Sequence, residues 1–259
     1  MTNTQTLPNL LFLGEKEIVN LPDGTHIEIR ENNGEDEGIL SKFKDAMEGT
    51  SINNYLSSII TKSLSEPTLG EKPTPKDILH WKINCKNLTL IKARILSLGA
   101  IFKFNFTCGN PKCKHNQVFD EDLKPYVENY SEENKLGIKP YPLGVEKTHE
   151  FIIKASGRKV KFDILDGVAE KASLDTARDS INKNHGLFIR NIHIWHEGNW
   201  EKVFQFAMFS SKELVELRAE VSRVDPEYDP TSIIECPKCK QVSIVAILGE
   251  PSFFYPTEI

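Results

Sequence analysis

The sequence lacks the short motifs that mark many known catalytic sites. It contains no G-x-S-x-G, no P-loop, no G-x-G-x-x-G and no H-E-x-x-H pattern. Such motifs position a nucleophile, a nucleotide phosphate, a dinucleotide or a catalytic zinc ion, so their absence argues against the corresponding enzyme classes. Acidic residues are numerous, but none are paired in a way that indicates general acid–base chemistry. We therefore expect a protein that is not an enzyme.

Long apolar runs and an excess of basic residues are also lacking. No run approaches the ~18 apolar residues of a membrane-spanning helix. The apolar patch at Leu10–Leu13 has no basic region before it and no small-residue cleavage site after it, which argues against a signal peptide. With 32 basic and 37 acidic residues, the net charge is −5. We expect no membrane partner, and the acidic composition argues against nucleic acid, which favours a basic surface.

Cysteine is scarce, and its placement is the strongest signal in the chain. The cysteine count is five, an odd number that argues against a secreted disulfide framework. Four of the five form two short pairs, Cys108 with Cys113 and Cys236 with Cys239, each in a turn containing Pro and Lys between strand-like stretches. This layout is typical of a zinc ribbon and predicts one structural Zn²⁺ per chain, because four thiolates leave no open coordination position. The fifth, Cys85, lies in a helical pattern and is expected in the core.

The first cysteine pair is less regular than the second. Four residues separate its cysteines, whereas two separate Cys236 from Cys239. Counted from the second cysteine, residues 110–114 (NPKCK) resemble residues 236–240 (CPKCK), which indicates a two-residue insertion in the first knuckle. Two alternatives stay open from the sequence. His115 could replace Cys108 as a ligand, and the four thiols could bind no metal.

The first half of the chain is predicted to be an α+β unit that leads into the first cysteine pair. A β-hairpin is expected with its turn at Asp23-Gly24, because apolar and polar residues alternate after that turn. Ser51 is the expected N-cap of the second helix, Pro75 lies in the first turn of the third, and Gly99 ends it. The predicted elements are a hairpin at 18–30, helices at 35–48, 51–64 and 75–98, and strands at 101–107 and 116–119.

The second half is predicted to follow a similar plan. A capping box, Ser210 with Glu213, indicates a restart within its last helix. Phe253-Phe254 near the C-terminus is expected to dock in the protein's own fold, the alternative being an anchor in a partner's pocket. The predicted elements are a hairpin at 151–165, a helix at about 168–184, a strand at 191–195, a helix at 199–224 and strands on both sides of the second cysteine pair.

These elements suggest an internal duplication. Gly24 and Gly34 have the same spacing as Gly157 and Gly167, and a hairpin followed by a helix occurs in both places. We therefore predict an α+β fold of two related hairpin-plus-helix halves joined by a four-cysteine, zinc-ribbon-like site. The predicted division is 1–120 for the N-terminal half with the first knuckle, 121–149 for a linker and 150–259 for the C-terminal half with the second knuckle. The two halves could also pack as one compact domain.

The order of these features resembles the baseplate hub proteins and hub assembly factors of T4-like contractile-tailed bacteriophages. The resemblance covers about residues 18–256, although the first knuckle is longer than usual and the second hairpin has Ala155-Ser156-Gly157 in place of Leu-Pro. The motifs that carry it are, in order, a Leu-Pro-x-Gly opening (Leu21–Gly24), a helix end with Arg and Ser-x-Gly (Arg94–Gly99), the first knuckle, a second hairpin with its helix, Asp225-Pro226, the C-x-x-C knuckle and Phe253-Phe254.

This resemblance implies a non-enzymatic structural or assembly protein of the phage tail baseplate. Its partners would be other baseplate and tail proteins. It would be located in the virion and, during assembly, in the host cytoplasm. The zinc would brace the protein, and function would lie in its interaction surfaces.

Two other classes of function compete with this one. A nucleic-acid-binding zinc ribbon is the main alternative, because lysines flank both knuckles and could contact phosphates (Lys112, Lys114, Lys238 and Lys240). A metal-dependent hydrolase would need His193 and His196 as ligands, but on a strand a spacing of three places these two histidines on opposite faces. The sequence offers no third ligand at a telling distance from them.

Overall fold

The protein is a mixed α+β structure with four small antiparallel sheets, as a computed structural model of the chain shows. The structure describes residues 14–42, 50–170, 187, 189–228, 230–249 and 251–254. Within these residues there are a three-stranded sheet, a four-stranded sheet and two separate hairpins. The predicted α+β class is confirmed. None of the described helices is long and apolar enough to cross a lipid bilayer.

The predicted N-terminal hairpin is present as strands β1 (Lys16–Asn20) and β2 (His26–Arg30). Its turn is closed at Leu21, whose carbonyl accepts from the Gly24 N–H and whose N–H donates to the Thr25 carbonyl. Gly24 has a φ of +87°, a left-handed conformation that glycine adopts at little cost. The Asp-Gly turn signal in the sequence therefore marked the correct place.

The next helix, α1 (Gly34–Leu40), begins where the acidic residues predicted. Asn33 is its N-cap, and its side chain accepts from two backbone N–H groups of the first turn. Asp36 completes a capping box and is also bound by Arg30 at 2.7 Å. Residues 43–48 of the predicted helix lie outside the described residues.

The prediction of a helix over 51–64 was wrong in its last turn. Helix α2 (Ser51–Ile59), with Thr50 rather than Ser51 as N-cap, is followed directly by strand β3 (Ile60–Ser63). β3 pairs antiparallel with β2 and completes a three-stranded sheet. A strand forms here instead of a further helical turn, because Ile60 and Thr61 are β-branched and the free edge of β2 offers backbone hydrogen-bond partners. Ile60 becomes fully buried as a result.

The prediction of one long helix over 75–98 was also wrong. Two helices, α3 (Pro75–Leu79) and α4 (Ile83–Leu98), are separated by three residues. Lys82 is extended there and forms an isolated β-bridge with Asp166, far along the chain. This tertiary pairing has no signal in the local apolar spacing, because the apolar periodicity continues across the break.

Two hairpins carry the cysteine pairs. Strands β4 (Ile101–Thr107) and β5 (Asn116–Asp122) pair over their full length, so the return strand is longer than the predicted 116–119. A short helix, α5 (Lys124–Val127), follows them. The second hairpin consists of β10 (Thr231–Glu235) and β11 (Val242–Ala246). In both hairpins, the cysteines lie in the connection between the two strands.

The second half contains an antiparallel sheet in the order β6–β7–β8–β9. Its strands are β6 (Thr148–Ile152), β7 (Lys159–Asp163), β8 (His193–His196) and β9 (Asn199–Lys202). The hairpin at 151–165 and the strand at 191–195 were thus predicted with shifted bounds. Most of the helix predicted over 168–184 lies outside the described residues.

The helix predicted over 199–224 begins later than expected. Residues 199–202 form β9, because Glu197 and Gly198 both have positive φ and make a tight turn that returns the chain beside β8. Helix α6 (Ser211–Val224) then begins at the predicted capping box. Ser210 accepts from the Glu213 N–H, and the Glu213 carboxylate accepts from the Ser210 N–H at 2.7 Å.

Glu213→Gln is expected to reduce the acid sensitivity of folding. The Ser210 backbone N–H, with further donors from Ser156 and Arg158, lowers the pKa of Glu213 to about 2. Because a glutamate in the unfolded chain has a pKa of about 4.3, this carboxylate stabilises the fold above that pH and loses its contribution as the pH falls toward 2.

Urea unfolding at pH 7 and pH 3 measures this effect. The wild type should lose more free energy of unfolding between the two pH values than Glu213→Gln does. Glu227→Gln, at an exposed site after α6, is the control and should behave like the wild type. An equal pH dependence in all three proteins would contradict the capping role.

One apolar cluster contains buried residues from both predicted halves. Phe253 is fully buried and packs edge-on against Phe102, while Phe254 contacts Tyr55 in the same way. The expectation that the C-terminal aromatics dock in the protein's own fold is confirmed. The segment predicted as a linker, 121–149, also contributes buried side chains to this cluster, namely Leu123, Tyr126, Ile138 and Tyr141.

A buried ion pair joins distant segments in the second half. Arg190 donates through Nη1 to the carboxylate of Asp225, and only 5% of each side chain is exposed. The same carboxylate accepts from the Leu165 N–H at 3.0 Å. Next to it, Asn84 of α4 donates to the Pro226 carbonyl at 2.7 Å. These contacts connect the ends of α4, β7 and α6.

Candidate metal centre

The four paired cysteines converge on one point. The sulfur atoms of Cys108, Cys113, Cys236 and Cys239 all lie within 4.8 Å of one another. Cys108 is 3.5 Å from Cys239, and Cys113 is 3.8 Å from Cys236, measured between sulfurs. A tetrahedral ion with metal–sulfur bonds of about 2.3 Å separates its thiolates by about 3.8 Å. The four side chains therefore fit a tetrahedral metal ion.

The second knuckle has a tight turn that aims both sulfurs inward. The Cys236 N–H donates to the Gln241 carbonyl at 2.9 Å, and the Lys240 N–H donates to the Cys236 carbonyl at 2.9 Å. Lys240 has a φ of +62°, which reverses the chain directly after Cys239. This backbone arrangement brings β11 back beside β10 and places two thiols on the same side of the turn.

The first knuckle repeats this backbone pattern despite its insertion. The Cys108 N–H donates to the His115 carbonyl at 2.9 Å, and the Lys114 N–H donates to the Asn110 carbonyl at 3.1 Å. Lys114 has a φ of +44°, so it is left-handed like its counterpart Lys240 in the second knuckle. In the local turn, Asn110 thus occupies the position that Cys236 holds in the other knuckle. Its side chain accepts from the Lys112 N–H at 3.0 Å, in an Asx-type turn.

The geometry decides between the two ligands left open by the sequence. Cys108 brings its sulfur into the cluster, whereas His115 is half-buried and its ring is not part of it. His115 instead supplies the backbone carbonyl that closes the knuckle. The likeness of residues 110–114 (NPKCK) to residues 236–240 (CPKCK) could have indicated this choice. It aligns Asn110 with Cys236, so the first ligand of this knuckle has to come from Cys108, two residues earlier.

The thiols differ in their readiness to ionise. The N–H groups of Cys239 and Lys238 donate to the Cys236 sulfur and lower the pKa of its thiol to about 7. The pKa of Cys108 is raised to about 12, although the Asn110 N–H favours its thiolate, because burial and the neighbouring thiols oppose a second negative charge. A bound metal cation would remove this repulsion between thiolates, because it displaces the remaining protons and balances the negative charges.

The centre is closed rather than open. Cys108 and Cys236 are buried, with 2% and 1% of their surfaces exposed, and the other two cysteines are half-buried. Four sulfurs would fill a tetrahedral shell and leave no position for water or substrate. The arrangement is therefore compatible with a structural metal, which would join the β4–β5 hairpin to the β10–β11 hairpin.

Polar contacts between the two hairpins support the same junction. The Tyr126 hydroxyl of α5 donates to the Thr231 carbonyl at 2.9 Å and lies 3.0 Å from the Glu121 carboxylate. Ser232 donates to the same carboxylate, and the Tyr228 hydroxyl donates to the Tyr126 carbonyl at 2.8 Å. The sequence analysis missed these residues, because nothing in the local pattern pairs 121–126 with 228–232.

The structure does not bring His193 and His196 together as metal ligands. His193 uses Nδ1 to contact the Asn191 carbonyl at 2.7 Å, and His196 lies 3.4 Å from the Glu201 carboxylate. Across the described ranges, the four-cysteine cluster is the only group of three or more metal-ligating side chains. Cys85 is buried away from it, as expected for a core thiol.

Comparisons with known proteins give no relative for this fold and site. Neither protein-family models, nor curated proteins, nor solved structures match the chain. The class of protein is therefore described by its geometry alone: a mixed α+β chain with a closed four-cysteine centre that is compatible with a structural metal.

Proposed function

We propose that this chain is a structural or assembly protein of the baseplate hub in a contractile-tailed phage. It acts by protein–protein interaction and holds one structural Zn²⁺ per chain. The closed four-cysteine centre carries the proposal, because it braces two distant segments and has no position for catalysis. The order of sequence motifs that resembles the hub family is the second support.

Zinc is the proposed ion because of the donor set. Four thiolates in tetrahedral arrangement favour zinc or iron–sulfur chemistry over hard cations such as magnesium and calcium. Each knuckle lies in the turn of its own two-stranded hairpin, β4–β5 or β10–β11, which is the arrangement of a zinc ribbon. The ion would act as a clasp between the middle of the chain and its C-terminal part.

The proposed duplication is supported by parallel details in the two halves. Gly24 and Gly157 both have positive φ at their hairpins. Strands β2 and β7 share the same alternation of buried and exposed residues, and each is the second strand of an antiparallel sheet whose third strand pairs beside it. A helix then leads into a cysteine hairpin in both cases, α4 into β4 and α6 into β10.

Partners and location follow from the proposed class. The partners would be other baseplate and tail proteins, and the chain would be found in the virion and in the host cytoplasm during assembly. Nucleic-acid binding is the second candidate, because the knuckle lysines Lys112, Lys114 and Lys238 are exposed. The fourth, Lys240, is already paired with Glu235 at 3.0 Å. The net charge of −5 weighs against a polyanion partner.

Affinity purification from phage-infected cells tests the proposed function. Tagged protein should co-purify with tail and baseplate proteins, as identified by mass spectrometry against an untagged culture. Absence of any tail protein would reject the assignment to a baseplate. A gel shift at low salt with single- and double-stranded DNA tests the second candidate, and salt-sensitive binding by the wild type that is lost in Lys112→Glu with Lys238→Glu would support it instead.

A further inference from the structure

The β6–β9 sheet has one buried face and one open face. Val160, Phe162 and Ile194 point into the core and are nearly or fully buried. Because side chains alternate along each strand, their neighbours form the outer face. From the pairing of the strands, this face carries Glu150 and Ile152 on β6, Lys159, Lys161 and Asp163 on β7, His193 and Trp195 on β8, and Trp200 and Lys202 on β9.

Large aromatic side chains are exposed on this outer face. Trp195 is 45% exposed and lies edge-on to Trp200, its cross-strand partner, with ring centroids 5.3 Å apart. Phe204, just beyond β9, is 73% exposed. At the other end of the same face, Ile152 of β6 is 61% exposed and pairs with Lys159. Tryptophan side chains such as Trp195 and Trp200 are enriched among the few residues that contribute most of the binding energy of protein interfaces.

Positive charges surround these aromatics. The Lys161 ammonium lies 4.6 Å from the centre of the Trp200 ring, and the Lys159 ammonium lies 5.2 Å from it. Lys202 lies 5.9 Å from the Phe204 ring. Lys159 is paired with Glu150 at 2.9 Å. Glu150 also lies opposite Lys161 in the strand register, but among the described residues neither Lys161 nor Lys202 forms an ion pair. In that part of the chain, these two ammonium groups are the ones on this face that can pair with carboxylates of a partner.

We propose that this outer face, which we call the Lys–Trp face, binds an acidic segment of another protein. Carboxylates of the partner would pair with Lys161 and Lys202, and its apolar side chains would pack on Trp195 and Phe204. Complementary charge of this kind orients partners and speeds their association, while the aromatics supply affinity. The face thus deepens the proposed function by naming where a protein partner binds, and it rests on that function only in taking the partner to be a protein.

The arrangement of the lysines favours a protein partner over single-stranded nucleic acid. Stacking of bases needs a free aromatic ring face. Here two ammonium groups lie over the Trp200 ring, Lys159 also lies 5.7 Å from the centre of the Trp195 ring, and Lys202 lies 5.9 Å from that of Phe204, so each ring already has a cation–π partner. Carboxylates can reach the same ammonium groups from the solvent side without displacing them from the ring. The Lys–Trp face therefore suits acidic side chains better than stacked bases.

A peptide-binding assay tests the inference with the purified full-length chain. The probe is a fluorescein-labelled peptide that alternates Glu and Leu, and a peptide with Gln in place of Glu is its control. We expect the acidic peptide to bind at low salt and to weaken as salt screens the charges. Lys161→Glu with Lys202→Glu should weaken binding at least about tenfold, the scale of a 1.4 kcal/mol change. Trp195→Ala should also weaken it, through lost apolar contact.

The matched control is Lys103→Glu with Lys212→Glu, which makes the same change in net charge at two exposed lysines on other elements. It should leave peptide binding close to that of the wild type, and circular dichroism should show every variant folded. No binding of the acidic peptide, equal binding of the Gln peptide, or equal weakening in the control would each overturn the inference. Tighter binding of a thymidine oligonucleotide that depends on Lys161 and Lys202 would overturn it in favour of nucleic acid.

Failure of the peptide assay rejects the Lys–Trp face alone, whereas failure to co-purify tail proteins rejects the phage assignment alone.

Discussion

Cys236→Ser is expected to abolish the binding of about one zinc ion per chain and to destabilise the protein by several kcal/mol. Cys236 is buried, and backbone N–H groups lower the pKa of its thiol to about 7, so its loss removes a ligand that ionises readily. Isolated zinc modules depend on the metal for roughly 10 kcal/mol of folding free energy. The effect here should be smaller, because Tyr126 and Phe253 also hold the hairpins to the rest of the fold.

Elemental analysis of the purified protein gives the metal content, and urea unfolding with and without a chelator gives the stability. The wild type should bind about one zinc per chain and unfold more easily once the zinc is removed. Cys108→Ser should behave like Cys236→Ser, whereas His115→Ala and Cys85→Ala should keep the metal. Zinc loss in His115→Ala with retention in Cys108→Ser would show that the ligand set is wrong. A wild type without zinc would reject the metal centre itself.

Asp225→Ala is expected to destabilise the protein by about 3–5 kcal/mol, the scale of breaking a buried ion pair on one side. The substitution leaves the Arg190 guanidinium without its partner in a site where only 5% of that side chain is exposed. It also removes the acceptor of the Leu165 N–H. A buried charge and a buried donor without partners cost much more than the loss of a surface contact.

Urea unfolding of Asp225→Ala beside Glu150→Ala provides the comparison. Glu150 pairs with Lys159, but both side chains are 46% exposed, so its loss should change the free energy of unfolding by less than about 1 kcal/mol. The double variant Arg190→Met with Asp225→Leu should recover part of the loss, because no buried charge is left unpaired. Similar effects of Asp225→Ala and Glu150→Ala would contradict a structural role for the buried pair.

Signals confined to a few neighbouring residues were predicted correctly. The Asp23-Gly24 turn, the Ser210–Glu213 capping box and the two cysteine knuckles all depend on local backbone geometry, which the identities of adjacent residues specify. The stretches wrongly predicted as helix fall into two kinds. Residues 60–63 form a strand and Lys82 forms a bridge whose partners lie elsewhere in the chain, so helical periodicity alone could not exclude a helix there. Residues 199–202 differ, because they pair with the adjacent strand β8 through the tight turn at Glu197-Gly198, which is a local signal that the prediction passed over.

The sequence alone indicated the kind of centre: two cysteine knuckles in turns between strands, and the expectation of a structural rather than a catalytic ion. These follow from residue type and spacing, which are local. Only the tertiary structure decided that Cys108 and not His115 joins the cluster, that Arg190 meets Asp225, and that lysines and tryptophans share one face of a sheet. Each of these depends on which distant segments pack together, because burial and strand register, rather than spacing, bring such side chains within a few ångströms.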